Sequence, residues 1–225
     1  MNLPKPGDYI DIHDHDAVAA RGKFAVANLL ANESSLPDYR EGIAYSVGAH
    51  PWHLTAANIK EQLEMVRRLA SHENVIAIGE AGFDRLKGPG MDLQEEALAS
   101  QAGISEEFRK PLFIHCVRSW EELISSGKQL KPEMPWIVHG FRGKKELALQ
   151  LISKGMYLSF WFDFIIRPES SNLVKSLPAD RIFLETDGSG AEISEIYMKV
   201  ASDLDISVEE LKEQIADNFK KVFCV

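Results

Sequence analysis

The chain has 225 residues, of which 45% are hydrophobic and 26% charged, the balance of a soluble globular protein able to bury a substantial core. Its 25 Lys and Arg stand against 34 Asp and Glu, and the net charge of −9 excludes a broad polyanion-binding surface, although a metal-lined cleft could still take a phosphate. Two cysteines exclude a disulfide scaffold and the opening MNLPKPGDY carries no apolar signal segment, so we expect a cytoplasmic protein with no membrane partner, forming one domain over 1–225.

The first apolar run, YIDIH (9–13), leads into DIHDH. Residues two apart share one face of a strand, so Asp11, His13 and His15 fall in phase. Paired imidazoles suit a divalent metal, but a polar surface turn would read the same way. Similar runs follow: KFAVANLL (23–30), IAYSVGA (43–49), VIAIG (75–79), PLFIHC (111–116), WIVHG (136–140), MYLSFWF (156–162) and RIFLET (181–186). They are mostly apolar rather than alternating, as strands covered on both faces of a parallel sheet are. Helical spacing predicts helices over 56–72, 92–109, 119–127, 143–154 and 169–176, with 192–203 and 207–221 after the last strand.

Strands alternating with helices in this number predict an α/β fold of the TIM-type (β/α)8 barrel class. The first two strands are separated by about nine residues, too few for a crossover helix. Residues 31–42 (ANESSLPDYREG) read as loop. A compact barrel with its first helices reduced or absent is therefore expected, with a seven-stranded or incompletely closed barrel as the alternative.

Barrel active sites assemble at the C-terminal ends of the strands. Glu80 in GEAG, His115 in FIHC, His139 in VHGF and Asp187 in LETDGSG all fall there, beside His13 and His15. Singly, each has a plain reading: a satisfied polar histidine, a paired glutamate, an aspartate capping a turn. Jointly they point to a metal centre. Six donors exceed what one tetrahedral ion needs, so two divalent ions (Zn, Mg or Mn) are expected. Such a pair polarises a phosphoryl oxygen and lowers the pKa of a water, with Asp187 the candidate general base. Cys116 reads as a buried inert thiol, Cys224 as incidental, and His53 and His72 suggest no role.

The motifs DIHDH (11–15), VGAHPW (47–52), IGEAGFD (78–84), PLFIHCVRS (111–119), VHGFRG (138–143), LETDG (184–188) and NFKKVF (218–223) occur in an order that resembles the TatD family of metal-dependent deoxyribonucleases, within the amidohydrolase-like barrels. The resemblance implies that His13 and His15 hold a first metal with Asp187, that Glu80 bridges both ions, and that His115 and His139 hold the second. It also implies that His50 faces the substrate phosphate, that Asp187 and Glu80 are catalytic, and that the substrate is the 3′ end of single-stranded or frayed DNA. No obligate protein partner is implied. The chain departs from the family pattern in three places: the helix after the first motif is missing, a shortened GSGAEISE follows LETD where the family has an aromatic or proline-bearing loop and a basic stretch, and Arg118 lies one place late. Two alternatives follow. One is a two-metal hydrolase of a small phosphoester, lactone or amide; the other is a metal-stabilised, non-catalytic partner-binding protein.

Overall fold

A computed structural model describes residues 2–32 and 39–223. Residues 33–38, half of the 31–42 segment, and Cys224 lie outside the described residues. Eight strands are present: β1 (Tyr9–Asp14), β2 (Lys23–Leu30), β3 (Ile43–Gly48), β4 (Val75–Asp84), β5 (Leu112–Val117), β6 (Trp136–Val138), β7 (Tyr157–Trp161) and β8 (Ile182–Glu185). The helices are α1 (Ile59–Ala70), α2 (Met91–Phe108), α3 (Trp120–Leu130), α4 (Lys145–Ser153), α5 (Phe162–Ile165), α6 (Pro168–Lys175), α7 (Ile193–Leu204) and α8 (Val208–Phe223). The strands make one sheet in the order β1 to β8. β8 lies beside β1, where the Asp187 amide donates to the His13 carbonyl at 3.0 Å. The fold is the expected TIM-type barrel. Among the described residues no helix is long and apolar enough to cross a membrane.

By contacts the chain divides into two compact units, one of Met1–Ala27, Arg40–Ala44 and His139–Val225, the other of Asn28–Tyr39 and Tyr45–Val138. In the first, β1 passes to β2 without a helix, as the short connection requires. The Asp14 carboxylate turns the chain by accepting the Asp16 amide at 3.0 Å. The outer surface that a first crossover helix would cover is taken by the two last helices, both of which contact β1. The buried Tyr197 hydroxyl of α7 donates to the Ile10 carbonyl at 3.0 Å and accepts the Ile10 amide at 3.1 Å. From α8, Phe219 packs edge-on against Phe24 at 5.4 Å and stacks on Phe223 at 4.2 Å. Leu211, Ile215, Phe219 and Val222 recur three or four residues apart and are all buried, which is the apolar stripe that seats α8. Asn218 lies in the same stripe. Its amide donates to the Ala179 and Ile182 carbonyls, both at 2.9 Å, and so fixes α8 to the start of β8.

In the second unit β4 runs five residues beyond VIAIG, to Asp84, and all ten of its residues are buried. Two glycines permit this. The register against β5 shifts between Ile78 and Ala81. Gly79 and Gly82 have φ of 108° and 142°, and a Cβ would meet the Phe113 carbonyl oxygen at 2.4 Å from the first and that of His115 at 2.1 Å from the second. α2 supports the end of the strand through a buried side chain: Gln94 accepts the Asp84 amide at 2.7 Å and donates to the Asp84 carbonyl at 3.0 Å. Two turns on, Gln101 accepts the Ala49 amide at 2.8 Å, next to His50.

The close approach at Gly82 sets an expectation. Gly82→Ala should lose several kcal/mol of unfolding free energy or fail to fold, since backbone must move to admit the methyl group. Gly103→Ala, on the exposed face of α2 with nothing within 4 Å of the added atom, should gain up to about 1 kcal/mol. Urea denaturation of the two variants beside the parent measures both.

Candidate metal centre

The first unit brings together His13, His15, His139 and Asp187. β1 alternation turns Asp11 and His13 to one side, and both are fully buried. His13 Nε2 lies 3.7 Å from Asp187 Oδ1, and His15 Nε2 lies 3.5 Å from the same oxygen. The His13 ring is 5.0 Å from that of His15 and 4.5 Å from that of His139. Asp187 takes a left-handed conformation (φ 51°), which aspartate tolerates better than most residues, just past the end of β8. Its position is set by Asp11. That carboxylate accepts the Thr186 amide at 3.0 Å and hydroxyl at 2.7 Å, and pairs with Lys23 at 3.2 Å. Burial pushes Asp11 up to about 6, although Lys23 and Thr186 both oppose the rise. Asp11 shares the phase of the two histidines, but it anchors the strand and joins no donor cluster among the described residues.

The second unit brings Glu80 and His115 together with His50. His50 Nε2 is 3.6 Å and His115 Nδ1 3.5 Å from Glu80 Oε1. The other glutamate oxygen accepts from the Asn28 amide at 2.8 Å, and Asn28 is held in turn by the Ser46 hydroxyl at 3.0 Å. The two imidazoles differ in what they present. His50 Nδ1 accepts the Trp52 amide at 3.1 Å, so in the neutral ring the proton sits on Nε2 and a donor faces Glu80. His115 Nε2 lies 3.1 Å from Asp84 Oδ2, which favours the proton there and turns an Nδ1 lone pair to Glu80. Asp84 also accepts from the Trp52 indole at 2.6 Å and from the Leu86 and Lys87 amides at 2.7 and 3.0 Å. Burial alone would raise its pKa; these hydrogen bonds outweigh burial and hold it below the usual carboxylate range.

The donors fit a divalent cation. His13, His15 and Asp187 in one unit, and Glu80 and His115 in the other, each offer ligand atoms within 4.8 Å of one another, while His50, in the same group as Glu80 and His115, turns its Nε2 proton rather than a lone pair towards Glu80. Ligand bonds of about 2.1 Å in tetrahedral array put neighbouring donor atoms about 3.4 Å apart. The nitrogen–oxygen separations of 3.5–3.7 Å from His13, His15 and His115 match that edge and are long for hydrogen bonds. Glu185, which the motif reading passed over, adds to the first unit. It is fully buried, with Oε1 3.5 Å from His139 Nδ1, and Oε2 has no hydrogen-bond partner among the described residues. Asp84 and Asn28 were passed over too. Their signals are a carboxylate four residues, and so in phase, after Glu80 and a lone amide inside the apolar KFAVANLL. Cys116 is half-buried, and burial pushes its thiol up to about 12, far from thiolate chemistry at neutral pH.

A TIM-type barrel that carries such imidazole–carboxylate sets in the C-terminal halves of its strands, or just past them, has the architecture of a metal-dependent enzyme. Comparison with known proteins makes the assignment narrower. Residues 23–224 match the family model described as TatD related DNase. The uncharacterized metal-dependent hydrolase YcfH of Escherichia coli K12 is 27% identical over 96% of this chain and 91% of its own length. The 3′-5′ ssDNA/RNA exonuclease TatD of Cronobacter sakazakii is 30% identical over 78% of this chain and 72% of its own. Among solved structures, YjjV, a TatD homologue from E. coli K12, superposes with a TM-score of 0.78 at 18% identity, covering 98% of this chain and all of the other. A TatD family hydrolase from Entamoeba histolytica gives 0.77 at 16% identity, covering 96% and 98%. The chain belongs to the TatD family of metal-dependent hydrolases.

The hydrogen bond from His115 to Asp84 has a measurable consequence. Asp84→Ala should weaken divalent-metal binding roughly 10- to 100-fold, as loss of a carboxylate behind a ligating histidine does, without unfolding the chain. Competition titration against a chromogenic chelator, with circular dichroism as the control, gives the result.

Proposed function

We propose that this hydrolase is a deoxyribonuclease that shortens the 3′ ends of single-stranded or frayed DNA, with His13, His15, Glu80, His115, His139 and Asp187 as ligands for two divalent ions drawn from Zn, Mg and Mn. The observation that carries this reading is the spacing of imidazole and carboxylate ligand atoms at the edge length of a coordination polyhedron in each unit. The exonuclease name of the Cronobacter relative supports the choice of substrate. When bound, divalent ions supply charge that polarises a phosphoryl oxygen and acidifies a water.

The chain's own residues do the rest. The proton on His50 Nε2 makes it a donor to a phosphoryl oxygen, with its ring orientation set by the Trp52 amide. Asp187, held by its amide to the His13 carbonyl, accepts the proton of the attacking water as the phosphodiester bond breaks. Asn28 keeps one oxygen of Glu80 occupied and so aims the other at the imidazoles. A second reading, hydrolysis of a small phosphoester, lactone or amide, is favoured by the net charge of −9 and by Glu192 and Glu195 standing where the family carries a basic stretch.

A labelled single-stranded oligonucleotide separates the two. With Mg²⁺, Mn²⁺ or Zn²⁺ the parent should trim it from the 3′ end and EDTA should stop the reaction. Asp187→Asn should be slower by about 10²- to 10⁴-fold, the usual contribution of a general base. The double variant His139→Ala/Glu80→Ala should be inactive. Equal trimming by the variants, or turnover of small esters orders of magnitude faster than any oligonucleotide, would sink the nuclease reading.

A further inference from the structure

We propose that the outer face of Trp52 is a stacking platform for the terminal base of a bound single strand, and that Lys87 rests on that face until the base displaces it. The proposal rests on the nucleic-acid reading above. Trp52 is 44% exposed, an unusual place for an indole that is held this firmly. Its ring nitrogen donates to Asp84 at 2.6 Å and its backbone amide to His50 at 3.1 Å, so neither the ring nor its attachment can turn away from the solvent. The ring also meets the imidazoles of His50 at 4.9 Å and His115 at 5.6 Å, at interplanar angles of 75° and 79°. A planar group on the outer face would therefore lie one ring away from the two imidazoles that face Glu80.

Lys87 Nζ sits 3.7 Å from the centre of the Trp52 ring. The face is thus electron-rich, reachable, and covered by a flexible side chain rather than by packed core. The same carboxylate builds both parts, since Asp84 takes the indole N–H on one oxygen and the Leu86 and Lys87 amides on the other. The turn is pressed close as well: a Cβ on Gly88 would meet the Pro51 carbonyl oxygen at 2.5 Å. What would displace Lys87 must offer a flat π face and a neighbouring negative charge to receive the ammonium. A nucleobase with its flanking phosphate offers both, and every base does so, which suits a site without sequence preference. Arg85, two residues before Lys87, donates its Nε to the Arg118 carbonyl at 3.0 Å and pairs its guanidinium with Glu122, so it is Lys87 that brings a cation to the ring.

Binding can be read without cleavage. The full chain is titrated in EDTA against a short single-stranded oligodeoxynucleotide ending in 2-aminopurine at the 3′ position, and against the same strand ending in an abasic sugar. The parent should quench the 2-aminopurine and bind the base-ended strand at least about tenfold more tightly, as stacking on one aromatic side chain would give. Trp52→Phe should keep most of that preference and Trp52→Leu should erase it. Lys87→Ala should keep the preference while lowering the slope of log affinity against log salt by about one charge. Equal binding of the two strands by the parent, survival of the preference in Trp52→Leu, or its loss in Lys87→Ala would each overturn the platform. Trimming assays with metal run alongside. Base-dependent binding without trimming would remove the nuclease reading and leave the platform, whereas trimming without base dependence would do the reverse.

Discussion

The carboxylate of Asp11 is the constraint on which the first half of the site depends. It sits fully buried on β1 and takes two hydrogen bonds from Thr186, 175 positions away in sequence, together with the ammonium of Lys23. Burying a carboxylate is costly, and the rise of its pKa to about 6 records that cost even after its partners have offset part of it. The result is a fixed register between the first and last strands. With Thr186 held by Asp11, the next amide reaches the His13 carbonyl, and Asp187 is delivered beside His13 and His15.

Asp84 does comparable work in the second unit by a different chemistry. It is an acceptor hub with four donors and a depressed pKa, where Asp11 is a buried ion with a raised one. Both residues share a position in the logic of the fold: each orients a histidine or its partner carboxylate rather than facing the donor cluster itself. Polar residues of this kind specify geometry, because any shift that breaks them strands a buried charge or amide.

Most of the architecture was legible in the sequence. The apolar runs marked all eight strands, since parallel strands covered on both faces need no alternation, and helical periodicity placed the helices to within a few residues, except for the short α5, whose first residue Phe162 reads as the end of the run 156–162. Donor residues at strand ends were legible for the same reason. What escaped was set by contacts rather than by pattern. β4 continues to Asp84 because two glycines let it press on its neighbour, while glycine in a sequence reads as a break. Asn28 looked like an interruption of a strand, and only its hydrogen bond to Glu80 shows why an amide stands there. Glu185 was read as part of a motif around Asp187, and its place beside His139 comes from two strand ends brought together in space.

The cover that α7 and α8 give to β1 has an outcome in time as well as in space. Strand residues such as Ile10 and Phe24 lie against side chains some 190 positions downstream, Tyr197 and Phe219. A ribosome releasing this chain exposes its first two strands long before residues 193–223 exist to shield them. Contacts of such sequence separation slow folding, since a long loop must close before they form. The amino-terminal segment is thus synthesised early and completed last, and its apolar surface is what a chaperone would meet in the interval.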